Sequence, residues 1–254
     1  MNTDFHVVIP ARFASTRLPG KMLADIGGKP MIQHVYLRAR QSVARTVCIA
    51  TDHPDIFKAA QDFGADVIMT SADHASGTDR LQEACRICNF SDDDLVVNIQ
   101  GDEPLIPPAV INQVAHLLAQ DQQATVATLC EDISDVETFT DPNVVKVVSD
   151  NNNRALYFSR APIPWPRDEF AQGVRAIPFS QPPLRHLGIY AYRVSLLNRF
   201  ITWPQAVLEK TEKLEQLRVL ANGEIIALAK ACEYVPAGVD TASDLQRIRA
   251  QVKN

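Results

Sequence analysis

The 254-residue chain has no apolar run long enough to cross a bilayer, and its start, MNTDFHVVIP, lacks the basic segment and long apolar stretch of a signal peptide. It has only five cysteines (Cys48, Cys85, Cys88, Cys130, Cys232), an odd number scattered through apolar stretches. That usage suits reduced thiols better than a disulfide framework, so a soluble, cytoplasmic protein is expected. Cys85 and Cys88 form one CxxC without a second pair, which reads as buried helix cysteines rather than a zinc or redox centre. Basic excess is also missing: 25 Lys and Arg stand against 30 Asp and Glu, a formal charge of −5. Such a surface offers no general attraction to nucleic acid, though local basic clusters can still hold a small anion. There is no internal repeat, low-complexity segment or flexible linker. Neither the Walker A pattern nor GxGxxG occurs, and no Ser-His-Asp or Cys-His nucleophile is evident. What remains, 46% hydrophobic and 22% charged, is an ordinary globular composition.

Through the first half, short β-branched runs alternate with helical patterns. FHVVI (5–9), TVCIA (46–50), DVIM (66–69), LVVNI (95–99) and TVATL (125–129) read as strands. Between them, MIQHVYLRARQ (31–41) sets Ile32, Val35, Tyr36 and Ala39 on one helical face, and PDIFKAAQDFG runs from Pro54 to a stop at Gly64. Further helices are expected from Gly77 and from Pro107-Pro108. This rhythm implies an α/β chain with a mostly parallel sheet flanked by helices. After about residue 140 it changes: strands at 144–150, 155–159 and 186–193, helices through 221, and a closing helix from Thr241. One domain over 1–254 is expected, with an antiparallel portion at about 140–200.

In an open α/β sheet, ligands bind beyond the carboxyl ends of the strands. The first strand ends in PARFASTRLPGK, which packs Arg12, Arg17 and Lys21 around Ser15, Thr16 and Gly20. Small residues let backbone N–H groups approach phosphate oxygens while the cations neutralise charge, so this loop is a triphosphate-site candidate. The competing reading is a solvated basic loop. HASGTDRLQEA (74–84) offers Ser76, Gly77 and Thr78 as a helix start, either a plain cap or a ligand cradle. NIQGDEP ends a strand in Asp102 and Glu103, suited to a hard divalent cation or to a solvated turn. Arg160 and Arg167 lie beside an aromatic, proline-rich segment and can fork onto a carboxylate. His186 and Tyr190 share a strand face in RHLGIYAYR. LEKTEKLEQLR contains Glu215 and Gln216, and GVDTASDL places Asp240 before the last helix.

Together these blocks resemble the 3-deoxy-manno-octulosonate cytidylyltransferase (CMP-Kdo synthetase) family, from residue 9 to 250. The RFASTRLPGK loop is shared in skeleton with CMP-sialic acid synthetases. SRAPIPW, which resembles the SRxPIPW block, points to the Kdo branch. Met22 and Ala242 stand where the family commonly has proline. The resemblance implies a Rossmann-like nucleotidyltransferase sheet with a smaller antiparallel sugar-binding and dimerisation portion. It implies CMP transfer from CTP to the anomeric hydroxyl of Kdo, for lipopolysaccharide biosynthesis, by a homodimer using Mg²⁺. Arg12, Ser15, Thr16, Arg17, Lys21, Ser76, Gly77 and Thr78 would bind nucleotide. Arg80, Gln100, Arg160, Arg167, His186, Tyr190, Glu215 and Gln216 would bind sugar. Lys21, Asp102 and Asp240 would be catalytic, the two aspartates as metal ligands. The alternatives are a cytidylyltransferase for sialic acid or an 8-amino Kdo variant, and a non-catalytic nucleotide sensor.

Overall fold

The computed structural model describes residues 3–13, 18–74, 76–171, 173, 176–177 and 181–252. The first half alternates strand and helix: β1 (His6–Ala11), a 3-10 turn (Lys21–Leu23), β2 (Asp25–Ile26), β3 (Lys29–Pro30), α1 (Met31–Ala39), β4 (Thr46–Thr51), α2 (Pro54–Asp62), β5 (Asp66–Met69), α3 (Gly77–Ile87), β6 (Leu95–Asn98) and α4 (Pro108–Gln120). The second half continues with β7 (Val126–Asp132), α5 (Val136–Thr140), β8 (Lys146–Ser149), β9 (Ala155–Ser159), β10 (Leu184–Arg193), α6 (Val194–Phe200), α7 (Val207–Glu212), α8 (Gln216–Ala221), β11 (Ile226–Lys230) and α9 (Ala242–Val252).

Local chemistry sets the helix starts. Ser76 and Asp79 form a reciprocal capping box on α3, so two otherwise orphaned donors are satisfied. Pro54 and Pro108 stand in the first turns of α2 and α4, where a missing N–H costs nothing. Gly64, with φ of 76°, ends the α2 segment in the left-handed region. Between β2 and β3, Gly27 and Gly28 both have positive φ, the backbone a two-residue hairpin turn demands.

The strands of the main sheet run in the order β11-β7-β10-β6-β1-β4-β5, with β8 and β9 branching from β10. β6, β1, β4 and β5 are mutually parallel, as are β7 and β11. β10 is antiparallel to both β6 and β7 and joins the two parallel groups. Alternation along β1 sends Val7 and Ile9 to one face, with α1 and α4, and Val8 to the other, with α3, α6 and α8.

The mostly parallel sheet matches expectation, and Ile32, Val35, Tyr36 and Ala39 are buried together on α1. Three features differ. The antiparallel portion is inserted as expected, but deeper than a peripheral addition, because β10 occupies the middle of the sheet. β11 and α5 were not foreseen: IALAK is poor in β-branched residues and α5 is five residues long. The β2–β3 pair is likewise only two residues per strand.

Candidate active site

The carboxyl ends of β1 and β6 face a cleft closed by the segment before α9. Lys21 leaves the 3-10 turn there, after Gly20 in the left-handed region. Its ammonium donates to Asp102 Oδ2 at 2.6 Å, Asp240 Oδ1 at 3.1 Å and the Val239 carbonyl at 3.1 Å. Lys21 is 8% exposed. Burial disfavours the ammonium, but the two carboxylates outweigh it and raise its pKa. Residues 81 and 219 positions away in sequence thus converge on one cation.

Two glycines make that convergence possible. A Cβ on Gly101 would lie 2.9 Å from Met22 Sδ and 3.0 Å from the Pro10 carbonyl, so only glycine lets the turn after β6 press against β1. A Cβ on Gly238 would meet the Asp102 carbonyl at 3.1 Å, and the Val239 N–H donates to that same carbonyl at 2.8 Å. Asp244 accepts from the Asp240 and Thr241 N–H groups, so the start of α9 fixes Asp240. Arg12, at the end of β1, has a buried Nη2 with no hydrogen-bond partner among the described residues.

Beside the cleft lies a cavity of about 240 Å³ between α3, α8, β6 and β10. Gly77, Thr78, Gln100, Tyr190, Glu215 and Gln216 line it, so six of the residues singled out in sequence meet there. Thr78 Oγ1 donates to Glu215 Oε2 at 2.6 Å, joining the expected base and sugar segments directly. Ser76 caps α3 behind Gly77. Burial raises the pKa of the Tyr190 phenol well above its usual value, which keeps it a neutral hydrogen-bonding group. A neighbouring cavity of about 370 Å³ is lined by Glu103, Arg185, His186, Gly188 and Asp240 among others. His186 lies 5.2 Å, centroid to centroid, from Tyr190, pairs with Thr128 Oγ1 at 3.0 Å, and is pushed down to about 3 by burial. Burial, then the negative Asp102, pushes the Glu103 carboxyl up to about 8 against the pull of Arg185.

Three expected sugar contacts are placed elsewhere. Arg80 is 0% exposed, its guanidinium committed to Asp52 and Thr70 at 2.6 Å each. As a helix residue pointing into the fold it has no open face for a ligand. Arg160 donates to the Glu212 and Pro142 carbonyls at 2.7 and 2.9 Å, and so ties the end of β9 to α7. Arg167 is exposed and paired with its neighbour Asp168. Ser15, Thr16 and Arg17 lie outside the described residues.

Several residues of the site went unremarked in sequence. Asn98 and Tyr192 line the smaller cavity, and strand alternation alone would have placed them on the same face as Val96 and Tyr190. Glu209 and Arg218 form a buried ion pair beneath α8, with Arg218 Nε 2.8 Å from Glu209 Oε2 and its guanidinium 4.2 Å over the Phe200 ring. The spacing of nine across a helix break concealed that pair. Among the described residues no group of three or more His, Cys, Asp or Glu is placed to hold a metal ion. Asp102 and Asp240 offer two hard oxygen donors converging on one cationic position, which fits an ion that takes its other ligands from phosphates and water.

Residues 6–226 match the family model described as cytidylyltransferase. The chain is 65% identical over 248 residues to the 3-deoxy-manno-octulosonate cytidylyltransferase of Cellvibrio japonicus, covering 97% of each. It is 57% identical to the enzyme of the same name from Saccharophagus degradans, covering 99% of each. A solved structure of a CMP:2-keto-3-deoxy-manno-octonic acid synthetase complexed with CTP superimposes with a TM-score of 0.87, at 42% identity over 98% of both chains. A cytidylyltransferase from Leptospira borgpetersenii, 16% identical with a TM-score of 0.63 over 99% of this chain and 87% of its own, shares the fold. With its strand-end cleft and full-length identity of this order, the chain belongs to the 3-deoxy-manno-octulosonate cytidylyltransferase family of nucleotidyltransferases.

Proposed function

We propose that this enzyme transfers CMP from CTP to the anomeric hydroxyl of Kdo, releasing pyrophosphate, as a step toward lipopolysaccharide. The observation that carries this reading is the Lys21 ammonium held by both Asp102 and Asp240 beyond the ends of β1 and β6. Such a transfer depends on positioning and charge stabilisation more than on protein covalent chemistry. Lys21 supplies fixed positive charge for the α-phosphate, and its raised pKa keeps it protonated at neutral pH. Arg12, whose Nη2 has no partner among the described residues, offers a second cation to the phosphates, joined by Arg17 and the small side chains of Ser15 and Thr16. Asp102 and Asp240 would hold Mg²⁺, which when bound neutralises phosphate charge and lowers the pKa of the attacking hydroxyl. Ser76, Gly77 and Thr78 bind the cytidine half. Gln100, Tyr190, Glu215 and Gln216 orient the sugar, with His186 behind Tyr190 as a neutral partner. Arg80, Arg160 and Arg167 act on the sugar only if substrate draws them from their present pairings. The active form is a cytoplasmic homodimer, each subunit one nucleotidyltransferase domain.

Pyrophosphate release from CTP and Mg²⁺, with and without Kdo, tests the reading against other nucleoside triphosphates, sialic acid and 8-amino Kdo. Release that needs both CTP and Kdo is the expected result. Release with another acidic sugar alone would keep the phosphate site and replace the sugar. CTP binding with no release for any sugar would make the chain a nucleotide sensor.

A further inference from the structure

Buried polar atoms in folded proteins are paired, and an unpaired one needs a reason. Asn98 is the last residue of β6, 4% exposed, and its Oδ1 has no hydrogen-bond partner among the described residues. Its backbone is fixed from both sides, opposite Val8 on β1 and Tyr190 on β10. The backbone is thereby held in the sheet, and the amide moves only by turning about its own side-chain bonds. It forms part of the wall of the 240 Å³ cavity, beside Gln100, Tyr190 and Glu215. An apolar residue there would extend the face that holds Val8 and Val96, both fully buried. Leaving an acceptor unsatisfied in that place is destabilising. Among the groups lining the same cavity, the Thr78 hydroxyl is already donated to Glu215.

We propose that Asn98 determines sugar specificity: its amide oxygen accepts a hydrogen bond from a hydroxyl of the bound acidic sugar. The proposal rests on the transfer reaction above. A polyhydroxylated ligand brings donors to a cavity whose walls offer acceptors at Asn98, Gln100 and Glu215. Sites built to pair with a substrate hydroxyl reject analogues lacking it far more strongly than apolar pockets do, because the wall is then left unsatisfied. A stability cost accepted at a ligand-facing position is the pattern expected of such a residue.

The test replaces Asn98 with leucine, similar in volume and without polar atoms, in the full-length enzyme. Both thermal midpoint and steady-state kinetics are measured, with CTP and with Kdo varied in turn. The expected result is a midpoint equal to or above that of the parent, a KM for CTP within about twofold, and a kcat/KM for Kdo lower by about 10–100-fold. A lower midpoint with unchanged kcat/KM for Kdo would make the amide structural and overturn the proposal. A raised KM for CTP with Kdo unaffected would overturn it as well, because the amide would then serve the nucleotide. Asn98→Ala is run alongside; failure of both variants to fold would also count as a structural role. A parent enzyme inactive with Kdo would instead overturn the proposed function, so the two failures are distinct.

Discussion

The cleft and the cavity beside it share a wall of β6 yet solve opposite electrostatic problems. In the cleft, full charges face one another: Lys21 is shared by Asp102 and Asp240, and Asp240 keeps 47% of its side chain exposed. In the cavity, polar groups are buried and mostly neutral, with Asn98, Tyr190 and Tyr192 each under 9% exposed. The half-exposed Asp240 carboxylate can turn to an incoming cation while the buried Lys21 ammonium stays in place for phosphate. Buried neutral dipoles are fixed and can only discriminate. On the proposed function, the fold separates a place for chemistry from a place for selection, within a few residues of the end of β6.

Substitutions at each place should therefore fail differently. Lys21→Met removes fixed positive charge from the cleft, and kcat is expected to fall by about 10²–10³, as for loss of a preorganised charge-stabilising donor. The same variant leaves two carboxylates facing each other, so its thermal midpoint should rise with added Mg²⁺ more than the parent's does. A small loss of kcat, or no difference in the Mg²⁺ response, would remove Lys21 from the chemistry.

Behind the cavity, Arg218→Ala leaves Glu209 as an uncompensated buried carboxylate, and destabilisation of about 3–5 kcal/mol is expected in denaturant unfolding. Because α8 carries Gln216 into the cavity, what activity survives should show a raised KM for sugar more than a lowered kcat. A change confined to kcat would mean that the cavity wall does not depend on this pair.

A further difference between the two places concerns pH. Burial lowers His186 from 6.5 to about 3, so the folded state binds fewer protons than the unfolded state between those values. Its contribution is present above pH 6.5 and is lost as pH falls toward 3. Replacing His186 with Gln should flatten that part of the stability profile, while an unchanged slope would assign the acid sensitivity to other groups.

Much of this arrangement could be read from sequence, and the remainder failed for physical reasons. Short apolar runs alternating with capped helices were enough for the parallel sheet, since period and caps are local properties. The resemblance of their sequence blocks to the family singles out Lys21, Asp102 and Asp240, and the fold brings the three side chains together. β11 escaped because Ala-Leu-Ala-Lys suits a helix as well as a strand, and parallel pairing with β7 decides between them. The family resemblance of its block sends Arg80 to the sugar, whereas in the fold its guanidinium is paired with Asp52, 28 residues earlier. Asn98 was overlooked for the opposite reason: a single amide at the end of LVVN carries no local signal. Its meaning comes only from Tyr190 across the sheet and from the absence of a partner.

The most direct test of the central claim, that Asp102 and Asp240 make the reactive centre, is the turnover of Asp102→Asn. The substitution keeps size and hydrogen-bonding capacity and removes one negative charge from the cleft. With CTP, Kdo and Mg²⁺ saturating, pyrophosphate release is expected to fall by about 10³ or more, with the folded structure retained. Turnover close to the parent's would contradict that claim and place the chemistry elsewhere in the molecule.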